Sequence, residues 1–122
     1  MTAHYDIDSD RWPLLVAKAP PGIASDDAIH RFLRDIRGEL ALGTPVALVL
    51  DARRATLTAP QRRIFATAAE QDAKHYPGFI RATAIVTRTP MERATMTALL
   101  WLFTPPYPIR PFATVQEALP WA

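Results

Sequence analysis

The chain has 122 residues, of which 49% are apolar and 21% are charged, and 14 basic residues against 12 acidic ones leave a formal net charge of +2. This length suits a single domain over residues 1–122. The composition excludes a disordered chain, since such chains have higher charge and fewer apolar residues. The small net charge argues against bulk attraction to nucleic acid, and the lack of cysteine excludes disulfides, thiolate metal sites and a cysteine nucleophile.

The first part of the sequence predicts an antiparallel hairpin. Apolar and polar residues alternate through residues 3–8, which is the period-two pattern of a strand with one solvated face. Residues 9–11 form a short polar turn, and residues 12–19 supply the second strand. Pro13 is tolerated near the start of this second strand if the strand lies at the edge of its sheet.

The apolar period then changes to that of a helix. Apolar residues recur every three or four positions through residues 25–42, with Asp26 and Asp27 in the first turn and Gly43 beyond the last turn. Residues 46–50 form a continuous apolar run that is too short for a helix in this setting. This run predicts a strand buried on both faces, which places it in the middle of a parallel sheet.

Three threonines mark the expected starts of later helices, because each is followed three residues on by Gln or Glu in the pattern of a capping box. The pairs are Thr58 with Gln61, Thr89 with Glu92, and Thr114 with Glu117. Residues 82–86 predict a second buried strand, and residues 109–113 predict a shorter one. The order of elements predicts an α/β fold with a mixed, mostly parallel five-stranded sheet, an N-terminal hairpin and about four helices.

Charge collects where the two central strands are expected to end. Ligands of open parallel sheets bind outside the carboxyl ends of the strands, and helices that begin at the same edge present free amides to an anion. We therefore predict a ligand- or partner-binding edge composed of Asp51, Arg53, Arg54, Thr58, Arg62, Arg88 and Arg93. The alternative is a solvated face on which the arginines pair with acidic neighbours, namely Asp51, Glu70, Asp72 and Glu92.

Other chemistry has little support in the sequence. The three histidines share no metal-ligand spacing, neither serine lies in a G-x-S-x-G turn, and no glycine-rich phosphate loop occurs. The sequence therefore predicts no metal site and no cofactor. A small enzyme that orients a substrate with Asp51 and either Arg53 or Arg88 is the catalytic alternative.

A second candidate surface surrounds the third helix. Residues 99–103, followed by Tyr107, are apolar on almost every side of the helix, which is more than one face against a sheet can bury. We predict that Trp101, Phe103 and Tyr107 contact a partner or a second copy, which makes a homodimer or a homo-oligomeric structural protein a further hypothesis. The alternative is that the proline-rich segment and Trp121 cover this surface.

The sequence contains no segment that predicts membrane insertion or export. The apolar run is far shorter than the roughly 20 residues that a spanning helix needs, and the acidic N-terminus does not fit a signal peptide. We therefore expect a cytoplasmic protein.

The element order and the closing segment resemble the STAS-type fold. Residues 112–121 read F-x-x-x-x-E-A-L-x-W, a pattern similar to the ends of SpoIIAA-like and STAS-like chains. The resemblance implies a bacterial, non-catalytic regulatory module of the anti-sigma-factor antagonist superfamily, which binds a protein partner or a small anionic or lipidic ligand.

The same resemblance gives Thr58 a candidate role. In antagonists of this superfamily, a kinase phosphorylates a serine or threonine at the start of the helix after the central strand, and this releases the bound anti-sigma factor. Thr58 occupies the matching place in this chain, next to Arg54 and Arg62. A plain helix cap is the other interpretation of Thr58.

Overall fold

The computed structural model describes residues 4–102 and 106–122, and it leaves the side chains of residues 99–102 undescribed. Along the chain the elements are β1 (Asp6–Arg11), β2 (Leu14–Lys18), α1 (Asp26–Leu40), β3 (Val46–Asp51), α2 (Ala59–His75), β4 (Ile80–Val86), α3 (Pro90–Leu102), β5 (Ile109–Phe112) and α4 (Val115–Trp121).

The strands form a five-stranded sheet in the order β1-β2-β3-β4-β5. β1 is antiparallel to β2, and the three other neighbouring pairs are parallel. The predicted mixed, mostly parallel sheet is confirmed. β3 lies at its centre between two parallel neighbours, as its continuous apolar run predicted, because both of its faces are covered.

The predicted hairpin forms, but its turn lies later than expected. β1 continues through Arg11, and the chain reverses at Trp12 and Pro13 rather than at residues 9–11. Proline has no amide hydrogen to donate to a strand ladder, which favours Pro13 in the turn. The expected edge position is also wrong for the second strand, since β2 pairs with both β1 and β3.

Apolar residues fill both faces of the sheet. α1 and α2 cover one face, where Leu15 and Ile29 are fully buried. On the same face Phe32 stacks on Tyr5, with ring centroids 4.6 Å apart. α4 covers the other face, where Val49 packs with residues of β4, β5 and α4.

The expected capping threonines occupy the starts of their helices. The Thr58 hydroxyl accepts from the Gln61 amide, and the Gln61 side chain accepts from the Thr58 amide, so this capping box is complete. At α3 the Thr89 hydroxyl accepts from the Glu92 amide, but the Glu92 carboxylate accepts from the Arg88 amide instead of closing the box. These caps fix where α2 and α3 begin at the edge of the sheet.

The two outer strands differ in how they present their free edges. β1 carries Asp6, Asp8 and Asp10 at alternate positions, and these side chains are exposed. β5 is short, and it contains Pro111, which has no backbone donor.

Candidate functional site

The parallel strands β2, β3 and β4 end at the same edge of the sheet, and the loops that follow them lie side by side. The loop after β2 is joined to the loop after β3, because the Gly22 amide donates to the Arg54 carbonyl (2.8 Å) and the Thr56 amide donates to the Gly22 carbonyl (3.0 Å). Gly22 has a φ of 73°, which favours glycine at this position. We call the surface formed by Ile23, Asp51, Arg53, Arg54, Arg88 and Met91 the carboxyl edge.

The carboxylate of Asp51 is bound by Arg53 through several hydrogen bonds. This carboxylate accepts from Arg53 Nε (2.9 Å), Arg53 Nη2 (2.8 Å) and the Arg53 amide (3.2 Å). The hydrogen bonds from the Arg53 side chain are the main cause that lowers the pKa of Asp51, although partial burial opposes them. Asp51 and Arg53 therefore form a local clamp over the end of β3.

The clamp makes a small, pH-dependent contribution to stability. The pKa of Asp51 is lowered in the folded state, so its contribution is present above the unfolded pKa, near pH 4, and is lost as pH falls through the folded value. Since Arg53 is half-exposed, we expect Arg53→Ala to reduce the free energy of unfolding by about 0.5–1 kcal/mol at neutral pH.

Urea denaturation at several pH values measures this effect. The difference between the parent and Arg53→Ala should shrink as pH falls below about 4. Arg54→Ala is the matched control, because the Arg54 side chain makes no hydrogen bond or ion pair within the described ranges. A difference that persists unchanged into strong acid would contradict the assignment.

Two further predicted arginines hold loops in place. Arg62 Nη1 donates to the Leu57 carbonyl at 2.9 Å, and Arg93 Nη1 donates to the Thr87 carbonyl at 3.2 Å. Their guanidinium groups thus brace the ends of the loops after β3 and β4. These contacts are internal, whereas the predicted roles of Arg62 and Arg93 toward a ligand stay predictions.

Arg54 and Arg88 have a different setting. Both residues are exposed, and neither side chain makes a hydrogen bond or ion pair with another residue in the described part of the chain. They follow adjacent parallel strands, so they present two positive charges at the same edge.

The sequence did not reveal two exposed apolar residues at the carboxyl edge. Ile23, in the loop after β2, is 62% exposed, and Met91, in the first turn of α3, is 78% exposed. The sequence carries no clear signal of this exposure, since Met91 stands at helical spacing from Ala94 and Ala98 as a core residue would. Ile23 and Met91 flank the arginines and give the surface a mixed apolar and cationic character.

The second predicted surface is described only in part. Phe103 lies outside the described residues, and Trp101 lies in α3 at a position whose side chain is not described. Tyr107 is half-buried. Burial raises the pKa of its hydroxyl, Thr83 opposes this shift, and Asp72 adds to it, which places Tyr107 beside interior polar groups. The proposed interface there stays a prediction.

Two features are absent from residues 4–102 and 106–122. No cluster of three or more potential metal-ligating side chains occurs among them. No helix in this part of the chain has both the length and the apolar character to cross a bilayer.

Comparison with solved structures identifies the architecture. An uncharacterised protein of the DUF3478 family from Shewanella loihica PV-4, which has a SpoIIAA-like fold, aligns with a TM-score of 0.70 and 16% identity over 99% of this chain and 95% of that chain. The chain has a SpoIIAA-like fold.

A second structure agrees with this assignment. An anti-sigma factor antagonist from Mycobacterium paratuberculosis aligns with this chain at a TM-score of 0.60. The two sequences are 18% identical, and the alignment covers 98% of this chain and 93% of the antagonist. These likenesses concern the fold. No protein-family model and no curated protein matches the sequence.

Proposed function

We propose that this chain is a regulatory, non-catalytic interaction module that binds a protein partner through the carboxyl edge. The observation that carries the proposal is the pairing of exposed Ile23 and Met91 with the free arginines Arg54 and Arg88 on adjoining loops. Apolar anchors beside arginine are characteristic of protein interfaces. The Mycobacterium paratuberculosis structure supports the proposal, because that protein is an anti-sigma factor antagonist with a similar fold.

The geometry of Asp51 favours this function over the enzymatic alternative. The Asp51 carboxylate accepts three hydrogen bonds from Arg53, and the bonds from the Arg53 side chain lower its pKa, which makes Asp51 a weaker base than a free carboxylate. Of the histidines, His4 and His30 line a cavity between α1 and α2, and His75 ends α2 with its ring near the Gln71 carbonyl. No carboxyl-edge residue lines that cavity.

Capture from an extract of the source organism, followed by quantitative mass spectrometry, tests the proposal. We expect the double variant Ile23→Asp/Met91→Asp to recover at least about tenfold less partner than the parent, because a buried apolar anchor contributes 1–3 kcal/mol or more. Arg54→Glu/Arg88→Glu should weaken the same partner and reduce the salt dependence of capture.

Leu42→Asp is the matched control for this experiment. Leu42 is 66% exposed, but it follows α1 at the opposite edge of the sheet, so it has similar exposure and lies away from the proposed contact. Loss of the partner with Leu42→Asp, or full recovery with Ile23→Asp/Met91→Asp, would contradict the proposal.

Regulation by phosphorylation of Thr58 is a finer proposal for the same surface. The Thr58 hydroxyl caps α2, and the Arg62 guanidinium bonds to the neighbouring Leu57 carbonyl, so a phosphate at this position would have a cation close by. Thr58→Asp and Thr58→Ala belong beside the parent in the capture experiment. A partner lost with Thr58→Asp alone supports the switch, and one retained by all three proteins supports a plain cap.

A further inference from the structure

A groove of about 790 Å³ lies between α1 and α2, away from the carboxyl edge. Its floor is apolar and includes Leu33 from α1 and Ile64 and Ala68 from α2. Ala68 is buried, whereas Leu33 and Ile64 are half-buried, so the floor is recessed but reachable from solvent. The lining residues of α1 extend from Asp27 to Arg37, which corresponds to about 15 Å of helix.

The α1 wall of the groove is cationic, whereas the polar lining residues of α2 are the neutral Thr67 and Gln71. Arg31, Arg34 and Arg37 line the groove from α1, and Asp27 is the acidic residue of the lining. Arg37 is engaged by Asp72, with its Nη2 3.0 Å from the carboxylate. The side chains of Arg31 and Arg34 are exposed and make no hydrogen bond or ion pair with the residues that the structure describes. Two cations along the groove are therefore available to a guest.

Polar cross-links between the two helices hold the groove open at both ends. At one end Gln61 Nε2 donates to the Ala24 carbonyl (2.7 Å) and to Asp26 Oδ1 (3.1 Å). At the other end Arg37 Nε donates to the buried Asp72 carboxylate at 3.1 Å. Because these bonds already fix the spacing of α1 and α2, a bound peptide would lose little binding free energy to ordering the site.

We propose that this groove binds an acidic, amphipathic peptide segment of a partner protein. Apolar side chains of the segment would contact Leu33, Ile64 and Ala68, and carboxylates at helical spacing would meet Arg31 and Arg34. Charge complementarity favours an acidic guest, because Arg31 and Arg34 outnumber Asp27, the acidic residue in the first turn of α1. This is a second surface, separate from the carboxyl edge and independent of the function proposed for it.

The shape of the groove favours a peptide over an anionic membrane. A flat bilayer surface would meet the exposed arginines but would not reach the recessed Ala68, whereas side chains projecting from a helix can. The length of the groove matches about three turns of helix, which exceeds the reach of a single phosphate or carboxylate ion.

Selection from a displayed library of random peptides about 12 residues long tests the proposal with the full chain as bait. We expect the selected peptides to be enriched in Asp, Glu and large apolar residues at helical spacing. Arg31→Glu/Arg34→Glu should weaken their binding at least about tenfold by fluorescence anisotropy. The matched control is Arg63→Glu/Lys74→Glu, which makes the same charge change at exposed α2 positions outside the groove and should leave affinity within about twofold.

Chemical-shift mapping of a selected peptide should locate the contact on residues 27–37 of α1 and 64–71 of α2. Selected peptides that lack acidic residues, or that bind Arg31→Glu/Arg34→Glu as well as the parent, would overturn the proposal. Peptides whose affinity falls with Ile23→Asp/Met91→Asp and not with Arg31→Glu/Arg34→Glu would contradict binding in the groove and support the function proposed for the carboxyl edge. Binding to phosphatidylglycerol vesicles that requires Arg31 and Arg34, with no peptide selected, would also overturn it.

Discussion

Phe32→Ala is expected to lower the free energy of unfolding by about 3–5 kcal/mol. Phe32 is 3% exposed, and its ring contacts those of Tyr5, at 4.6 Å between centroids, and Phe65, at 6.3 Å, which also contact each other. Truncation removes these aromatic contacts and leaves a cavity between the sheet and the two helices, which the fixed spacing of α1 and α2 does not allow to close. Urea denaturation monitored by circular dichroism measures the change.

Leu33→Ala is the control for the Phe32 prediction. Leu33 is the next residue of α1 but is only half-buried and lines the groove, so its truncation leaves a space that water can enter. We expect it to cost less than about half as much as Phe32→Ala. Equal losses for the two variants would contradict the view that the aromatic cluster is the centre of this core.

Gln61→Met is expected to destabilise the protein by about 2–4 kcal/mol, although it preserves the length and volume of the side chain. Gln61 is 3% exposed, donates to the Ala24 carbonyl and Asp26, and accepts from the Thr58 amide at 3.2 Å. Methionine makes none of these hydrogen bonds, so a buried carbonyl and the amide at the start of α2 lose their partners. Thermal and urea unfolding both report the loss.

The same variant links the interior to the carboxyl edge. Ala24 follows Ile23 directly, so loss of the Gln61 hydrogen bond frees the loop that presents Ile23. We expect Gln61→Met to weaken partner capture without altering any carboxyl-edge residue. Gln71→Met is the control, because Gln71 is exposed on the same helix, and its replacement should change stability by less than about 0.5 kcal/mol. A destabilisation by Gln71→Met equal to that of Gln61→Met would contradict the prediction.

Patterns of local chemistry predicted most of the architecture. The apolar run within β3 indicated a central parallel strand, and the cap at Thr58 marked the start of α2, because burial on both faces and capping each leave a direct trace in the sequence. The hairpin turn was predicted too early, because the alternating pattern does not show where the chain reverses. The observed turn includes Pro13, which has no amide hydrogen to donate to a strand ladder.

The candidate surfaces were harder to predict, since they depend on tertiary placement. The sequence indicated that arginines gather at the carboxyl edge, and for Arg53 the alternative interpretation, pairing with an acidic neighbour, is the one that the contact with Asp51 shows. Gln61 was expected to cap its own helix, and its reach to Ala24 depends on how α1 and α2 pack. The groove beside Arg31 and Arg34 exists only once those two helices lie side by side.

Both outer strands are poor templates for an added strand. Approach of another chain along β1 brings its backbone against a row of carboxylates that would repel an acidic or identical strand, and Pro111 interrupts the donors of β5. Both edges therefore disfavour edge-to-edge polymerisation, and the partner proposed above would be selected by side chains of loops and helices rather than by a main-chain ladder.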